Sequence, residues 1–370
     1  MPYRSLRKLH LIVSLLVAGP LLVLSLTGAL LVYAPEIQRL VSPAGWSVPV
    51  PSAAALPPIR VLDRITEQRP DLSVWALSLA KSDGDPHTVW LSGGAGVLNI
   101  NPSTGEILAH FKPKDTFQGW MTALHRRWLA EGETARWIRN GLSGIALLLI
   151  VQIGLGLWLW LKPPSPLRRL AVPVGHGTRL AVLRGHQLSG VVTALLLVVV
   201  AFTGLAMYWT EPARALIEWV TLSRVERPEP APFEGLRPIA DLNEALSLAM
   251  AEAPEAELHT IRPPDTPGAP LIATLFAPDQ TAPTRIWVGD DPARVLFVHD
   301  GREITAATWI WHMRYMLHVG DFAGPLVRAL WVLVALAPAG FVISGLWLYL
   351  GRRRRERRPS GPRVAGRLAR

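Results

Sequence analysis

"HLIVSLLVAGPLLVLSLTGALLVY" runs from His10 to Tyr33, and "HQLSGVVTALLLVVVAFTGLAMYW" runs from His186 to Trp209. Each opens on a histidine and continues through nearly pure hydrocarbon. Each carries a Thr-Gly pair at the same offset, with Thr27 and Thr203 both 17 residues beyond the histidine. A run of this length and composition crosses a hydrocarbon core of about 30 Å as a helix. Counted across the chain, four such stretches stand out: Leu11–Ala34, Gly141–Leu161, Leu188–Trp209 and Ala329–Leu350. Buried helices of soluble proteins are rarely this long and this uniformly apolar, so four transmembrane spans are expected. The first is read as an uncleaved span, because it is too long for a signal-peptide core and no small-x-small cleavage site follows it.

The formal net charge of +10 raises the question of nucleic acid. Its distribution removes that reading. Residues 1–10 hold three Lys or Arg and no acid, residues 162–187 hold five and no acid, and residues 351–370 hold nine Arg against one Glu. The rest of the chain is net acidic. Short basic segments mark the cytoplasmic side of a membrane. Both termini and the middle loop are therefore expected inside, and the basic tail is expected to meet lipid headgroups. The chain has no cysteine, which excludes disulfides, thiolate-held iron–sulfur clusters and covalently attached c-type haem.

The resulting plan is span 1 over residues 1–34, an outside domain over 35–138, span 2 over 139–162, an inside loop over 163–187, span 3 over 188–209, a second outside domain over 210–327, span 4 over 328–350 and a basic tail over 351–370. The first outside segment reads as a helix in "IRVLDRITEQ", then strands, with a hairpin at "NINPSTGEIL". The second reads as a helix in "ADLNEALSLAMAEAP", then strands at "LIATLFA", "TRIWVGDD" and "ARVLFVHDGREI". Each is expected to pack one helix on an antiparallel sheet. The closing spans also match, "GLGLWLWLK" against "SGLWLYLGR", each preceded by a histidine in "LHRRW" or "LHVGD". The fold expected is a mainly α membrane protein made by tandem duplication, with four transmembrane helices and two α+β outside domains. Its halves are related by a two-fold axis along the membrane normal.

Duplication and topology sort four histidines into two pairs: His10 with His186 at the inner ends of spans 1 and 3, and His125 with His318 near the outer ends of spans 2 and 4. Two imidazoles facing one another among apolar helices suit bis-histidine ligation of haem iron. Zinc normally asks for a third or fourth protein ligand, which neither pair offers. Gly28, Gly204 and Gly345 leave room for a macrocycle or close helix approach, and Thr27 and Thr203 are expected to bond back to their own helices. Basic neighbours are candidate propionate partners: Arg7, Arg184, Arg126, Arg127 and Arg314. Their alternative role is contact with headgroups. His312 stands six residues before His318, as an alternative outer ligand or, with Trp311, a substrate contact. Most of the fifteen tryptophans sit near span ends, as an aromatic belt requires.

Taken together, the "RKLH…TG" span, the "NPSTGEIL" hairpin, "LHRRW", "RGHQLSG…FTG", "LHVGDFAG" and "SGLWLYL" resemble the bacterial PepSY-associated transmembrane proteins. The resemblance covers nearly the whole chain. Among the members it resembles are inner-membrane siderophore-iron reductases of the ferrioxamine type. It implies PepSY-like outside domains in the periplasm, two b-type haems per chain and delivery of electrons to a ferric siderophore there. The second outside segment departs from the pattern, since "DDPARVLFVHDGREI" lacks the Pro-x-Thr-Gly turn. Reduction makes chemical sense, because hard oxygen donors that grip Fe(III) hold Fe(II) poorly. The chain has no Gly-x-Gly-x-x-Gly dinucleotide motif, so a quinol or another reductase is the expected electron donor. Two rival readings remain at this point: a haem-free binding or regulatory membrane protein, and a siderophore or iron transporter.

Overall fold

The computed structural model describes residues 3–48, 54–172, 177–228, 230, 233, 235–278 and 280–356. The first half of the chain forms α1 (Tyr3–Val32), α2 (Ala34–Val41), α3 (Pro58–Gln68), β1 (Val74–Ser78), β2 (His87–Leu91), β3 (Val97–Ile100), β4 (Ile107–Phe111), α4 (Phe117–Arg127) and α5 (Gly132–Leu161). The second half forms α6 (Thr178–Ala206), α7 (Thr210–Thr221), α8 (Leu242–Ala251), β5 (Glu257–Arg262), β6 (Leu271–Phe276), β7 (Thr284–Gly289), β8 (Arg294–His299), α9 (Ala306–Val319) and α10 (Pro325–Glu356). Short 3-10 turns aside, the order of elements is the same in both halves. The chain divides into two compact units, one holding residues 1–32, 131–208 and 317–370, the other residues 33–130 and 209–316.

The first unit contains the four long apolar helices α1, α5, α6 and α10, each long and apolar enough to cross a membrane. The helices run several residues beyond the apolar stretches: α5 begins at Gly132 and α10 continues to Glu356. Side chains such as Ile12, Leu16 and Leu195 are 62, 66 and 73% exposed. Water penalises such a surface and lipid does not. α1 packs on α5 and α10, and α6 on α5 and α10, so the four close into a ring. That is the arrangement a two-fold relation between halves generates. Pro338 lies inside α10, and Ser25 of α1 packs beside it. Its hydroxyl donates to the Ala335 carbonyl and accepts from the Ala339 N–H at 3.2 Å. The Ala335 carbonyl and the Ala339 N–H, on either side of Pro338, thereby find a partner on the neighbouring helix.

The second unit corrects the expectation of two outside domains. Both segments build one eight-stranded antiparallel sheet in the order β4-β3-β2-β1-β5-β6-β7-β8. The join is β1 against β5, with Leu77 opposite Ile261 and Ser78 opposite Thr260. One face carries the core: Ile59, Leu62 and Ile65 of α3 and Leu246 and Ala249 of α8 pack with Leu77, Leu98, Ile261, Leu275 and Ile286. The spacing of Ile59, Leu62 and Ile65 puts all three on one stripe of α3. The expected hairpin lies between β3 and β4. Asn101 Oδ1 accepts from the Ser103 N–H at 3.0 Å, and Gly105 takes the left-handed conformation the turn needs, φ 73°. The second half reaches the equivalent β7–β8 hairpin without that motif. Asp290 occupies the left-handed position there, φ 76°, and its carboxylate accepts from the Asp291 and Arg237 N–H groups.

His87 of β2 is buried, and its Nδ1 accepts from the Ala80 N–H at 2.9 Å. Burial pushes its pKa down to about 4. The folded state therefore requires the neutral ring, whereas the unfolded chain protonates near 6.5. The stability this contributes is complete above pH 6.5 and is lost as pH falls toward 4. Linkage sets the loss between pH 7 and pH 5 at about 2 kcal/mol. His87→Asn keeps an acceptor for Ala80 and removes the titration. Thermal unfolding of the full chain at both pH values should show a smaller acid penalty in this variant, and an unchanged penalty would clear His87 of the effect.

Candidate functional site

Two of the histidines singled out by the sequence, His10 on α1 and His186 on α6, line a single cavity of about 1300 Å³ among the spanning helices. Small-ligand pockets usually fall in the range of about 300–1,000 Å³, so the space suits a large flat ligand. Val17, Leu21, Leu149, Ile153, Leu197 and Phe341 give it apolar walls, and Arg4, Arg7, Lys8, Arg179, Arg352 and Arg353 contribute positive charge.

The pocket around His186 is built by α10. Phe341, Ser344 and Gly345 stand at i, i+3 and i+4, hence on one face. The Phe341 ring meets the imidazole edge-on, with centroids 5.1 Å apart. Ser344 Oγ donates its proton to the Gly340 carbonyl at 2.8 Å and lies 2.7 Å from His186 Nδ1. A hydroxyl whose proton is committed can only accept, so Nδ1 carries the imidazole proton. The basic lone pair is then on Nε2, the tautomer a metal ligand needs.

The pocket around His10 is the counterpart on α5. Aligning "GLWLWL" (Gly156–Leu161) with "GLWLYL" (Gly345–Leu350) makes Gly156 the equivalent of Gly345. A Cβ at Gly156 would sit 3.4 Å from His10 Cε1, and one at Gly345 4.0 Å from His186 Cε1. The same alignment places Leu155 where the second half has Ser344. His10 Nδ1 is accordingly buried with no hydrogen bond. Its backbone is held instead: Gln152 Nε2 donates to the His10 carbonyl at 2.9 Å and to Ser14 Oγ, and Ser14 Oγ donates to the same carbonyl at 2.7 Å. Gln152, a polar side chain in mid-span, thus ties α5 to the turn that carries His10.

The other expected pair falls in different units. His125 lies on α4, which belongs with the sheet and ends at the left-handed Trp128, φ 49°. The sequence reading puts this histidine near the outer end of span 2, in the first outside segment, and it stands there on a helix of its own. His318 belongs with the spanning helices and packs on α6. Its Nδ1 is 2.9 Å from the Val200 carbonyl and 3.2 Å from Thr203 Oγ1. A carbonyl only accepts, so Nδ1 carries the proton and the lone pair is on Nε2, as in His186. Thr27 and Thr203 bond back to Val23 and Val199 of their own helices at 2.6 and 2.7 Å, as expected.

Of the basic residues expected to serve propionates, Arg7 lines the cavity. Arg184 is turned to the Arg169 carbonyl and Gln187 Oε1, and is not on the cavity wall. Arg126 is exposed on α4, and Arg127 donates to the Ala130 carbonyl. Arg314 stacks over Trp311 at 4.1 Å and donates to its carbonyl, while burial lowers its pKa. His312 lies with the sheet unit, and burial lowers its pKa to about 4. Sequence reading missed Ser344, Gly156 and the cationic wall residues Arg4, Lys8, Arg179, Arg352 and Arg353.

Among the described residues no group of three or more His, Cys, Asp or Glu is placed to hold a metal ion. A pair of imidazoles on an apolar cavity fits haem, which brings its own four nitrogen ligands. The orphaned His10 Nδ1, the presented Nε2 of His186 and the glycine beside each ring agree with that fit.

Residues 7–352 match the family described as the PepSY-associated TM region. The chain belongs to the PepSY-associated transmembrane family. The match runs from the helix that carries His10 to the cationic end of α10, so it covers both units. No curated protein matches the chain.

Proposed function

We propose that this PepSY-associated transmembrane protein is a two-haem ferric-siderophore reductase of the bacterial inner membrane. In this reading it arose by tandem duplication, with both termini in the cytoplasm and the sheet unit in the periplasm. One observation carries the reading: His10 and His186, at equivalent places in the two halves, line one apolar cavity, and the proton of His186 is committed to Ser344. His10 and His186 would hold the iron, and Arg7 with its cationic neighbours would neutralise the propionates. The leucine and valine walls would give the ligand nitrogens an apolar surrounding. Haem b held there supplies a one-electron carrier within the hydrocarbon.

The second haem belongs in this reading at His318, whose Nδ1 proton faces the Val200 carbonyl and whose Nε2 is left as the ligand nitrogen. A quinol or another reductase provides the electrons. The substrate is a ferric siderophore, whose hard oxygen donors lose most of their grip once Fe(III) takes one electron. The repeated element order and the tautomer of His318 support the reading.

The test uses the full chain in liposomes of known orientation. Protein reduced with dithionite is expected to reoxidise when a ferric siderophore meets the face that carries the sheet unit, and a ferrous chelator should capture iron on that side. A colourless protein from haem-replete cells would sink the haem assignment. Reoxidation without ferrous iron would leave a haem protein with a different electron acceptor.

A further inference from the structure

The helix-covered face of the sheet is the apolar core, and the opposite face has a different chemistry. Thr88, Ser78, Thr260, Thr274, Arg285 and His299 stand directly opposite one another in turn, strand by strand, from β2 to β8. Their neighbours Leu77, Ile261, Ala273 and Ile286 are core residues. The alternation of a strand therefore puts the whole polar row on the far side. Arg262 joins it diagonally: it faces Ile272 on β6, two residues from Thr274, which faces Arg285. From Ser78 to Arg285 the row spans three strand spacings, about 14 Å.

The cations here lack counter-charges. Arg285 is half-buried, and among the described residues it makes no hydrogen bond or ion pair. Burial and the nearby Arg262 both lower its pKa. Arg262 rests on the Trp75 ring at 4.7 Å. His299 Nδ1 and Arg314 Nε are buried without a hydrogen-bond partner. The one carboxylate within ion-pair distance of these groups, among the described residues, is Glu226, 3.8 Å from His299 Nε2. Half-buried guanidiniums that repel one another and meet no anion carry an uncompensated cost. Such a cost is retained where a ligand removes it.

We propose that this face of the sheet binds a polycarboxylate anion. Arg285 and Arg262 take separate carboxylates, and His299 and the Thr274 hydroxyl supply further donors. A guanidinium fork matches a carboxylate edge. Two forks set diagonally across β6 fit two carboxylates on one molecule better than one compact phosphate. The residues all lie in the sheet unit, so the proposal stands whether or not the spanning helices hold haem.

The probe is iron-free citrate, with inorganic phosphate at equal concentration as the comparison, added to the purified full chain in detergent. Citrate is expected to raise the unfolding temperature and phosphate to leave it nearly unchanged. By calorimetry, Arg285→Gln and Arg262→Gln should each weaken citrate about tenfold or more. Arg60→Gln, on the exposed surface of α3, should not. In anion-free buffer Arg285→Gln is expected to unfold at a higher temperature than the parent, because a repelling charge has gone. A residue that merely braces the sheet would give the opposite sign. No stabilisation by citrate, an equal effect of phosphate, unchanged affinity in both arginine variants, or a lower unfolding temperature for Arg285→Gln without anion would each overturn the proposal.

Discussion

Replacing His186 by alanine is expected to halve the haem content of the purified protein, from about two per chain to about one, with the remaining spectrum undisturbed. The expectation rests on two neighbours of the ring. Ser344 holds the imidazole proton, and Phe341 meets the ring edge-on, so the lone pair is presented at a fixed place on the cavity wall. His10→Ala should have the same consequence, since both residues line the one cavity. Ser344→Ala should be milder, leaving haem bound about 10- to 100-fold more weakly, the usual effect of losing a ligand's outer hydrogen bond. Pyridine haemochrome assay on each variant decides the matter. If His10→Ala and His186→Ala both keep their full haem complement, the cavity is not the binding place.

Gly204→Leu is expected to remove the other haem and spare the one at His10 and His186. A Cβ at Gly204 would lie 2.9 Å from His318 Cε1, closer than side chains tolerate. The ring has little room to yield, because Val200 and Thr203 hold its Nδ1 side from the same helix. The substituent must displace His318 from its seat on α6. Gly144→Leu, where a Cβ would meet nothing within 4 Å, is the matched control. Equal haem in the two variants would remove His318 from the ligand set. Loss of helical circular dichroism in Gly204→Leu alone would point to misfolding, and His318→Ala then gives the same reading without the steric load.

The spanning helices were legible because lipid enforces one rule on every residue of a span. The repeat was legible because His10 and His186 share an offset to Thr27 and Thr203. What stayed hidden depends on partners, which a local pattern does not name. β5 escaped notice because a register shift between Leu258 and Thr260 breaks the alternation that marks a strand. The single sheet escaped notice because β1 and β5 look the same whether they close two sheets or join one. Ser344 acquires its meaning only when α10 packs on α6. Gln152 stood out as a polar residue in mid-span, but its target, a backbone carbonyl on α1, has no signature in the sequence. The unmatched hairpin motif in the second half proved immaterial, since Asp290 supplies both the left-handed residue and the acceptor for the turn.

The joint between β1 and β5 also sets an order of assembly. β5 is made about 180 residues after β1. At about 5–20 residues per second this is a delay of roughly ten to forty seconds during translation. Over that interval α1 and α5 can already be threaded and α3 can cover Leu77, while the backbone edge of β1 that β5 will take stands unpaired. An open edge of this kind invites pairing with another nascent copy. The short contact, two residue pairs at Leu77–Ile261 and Ser78–Thr260, keeps that edge brief. Truncation after span 2 should therefore yield a chain that inserts yet self-associates through its half-sheet. Completion of the sheet then waits on the third span, α6, which precedes β5, so that its quality is decided late, at the membrane, and by the second half of the chain.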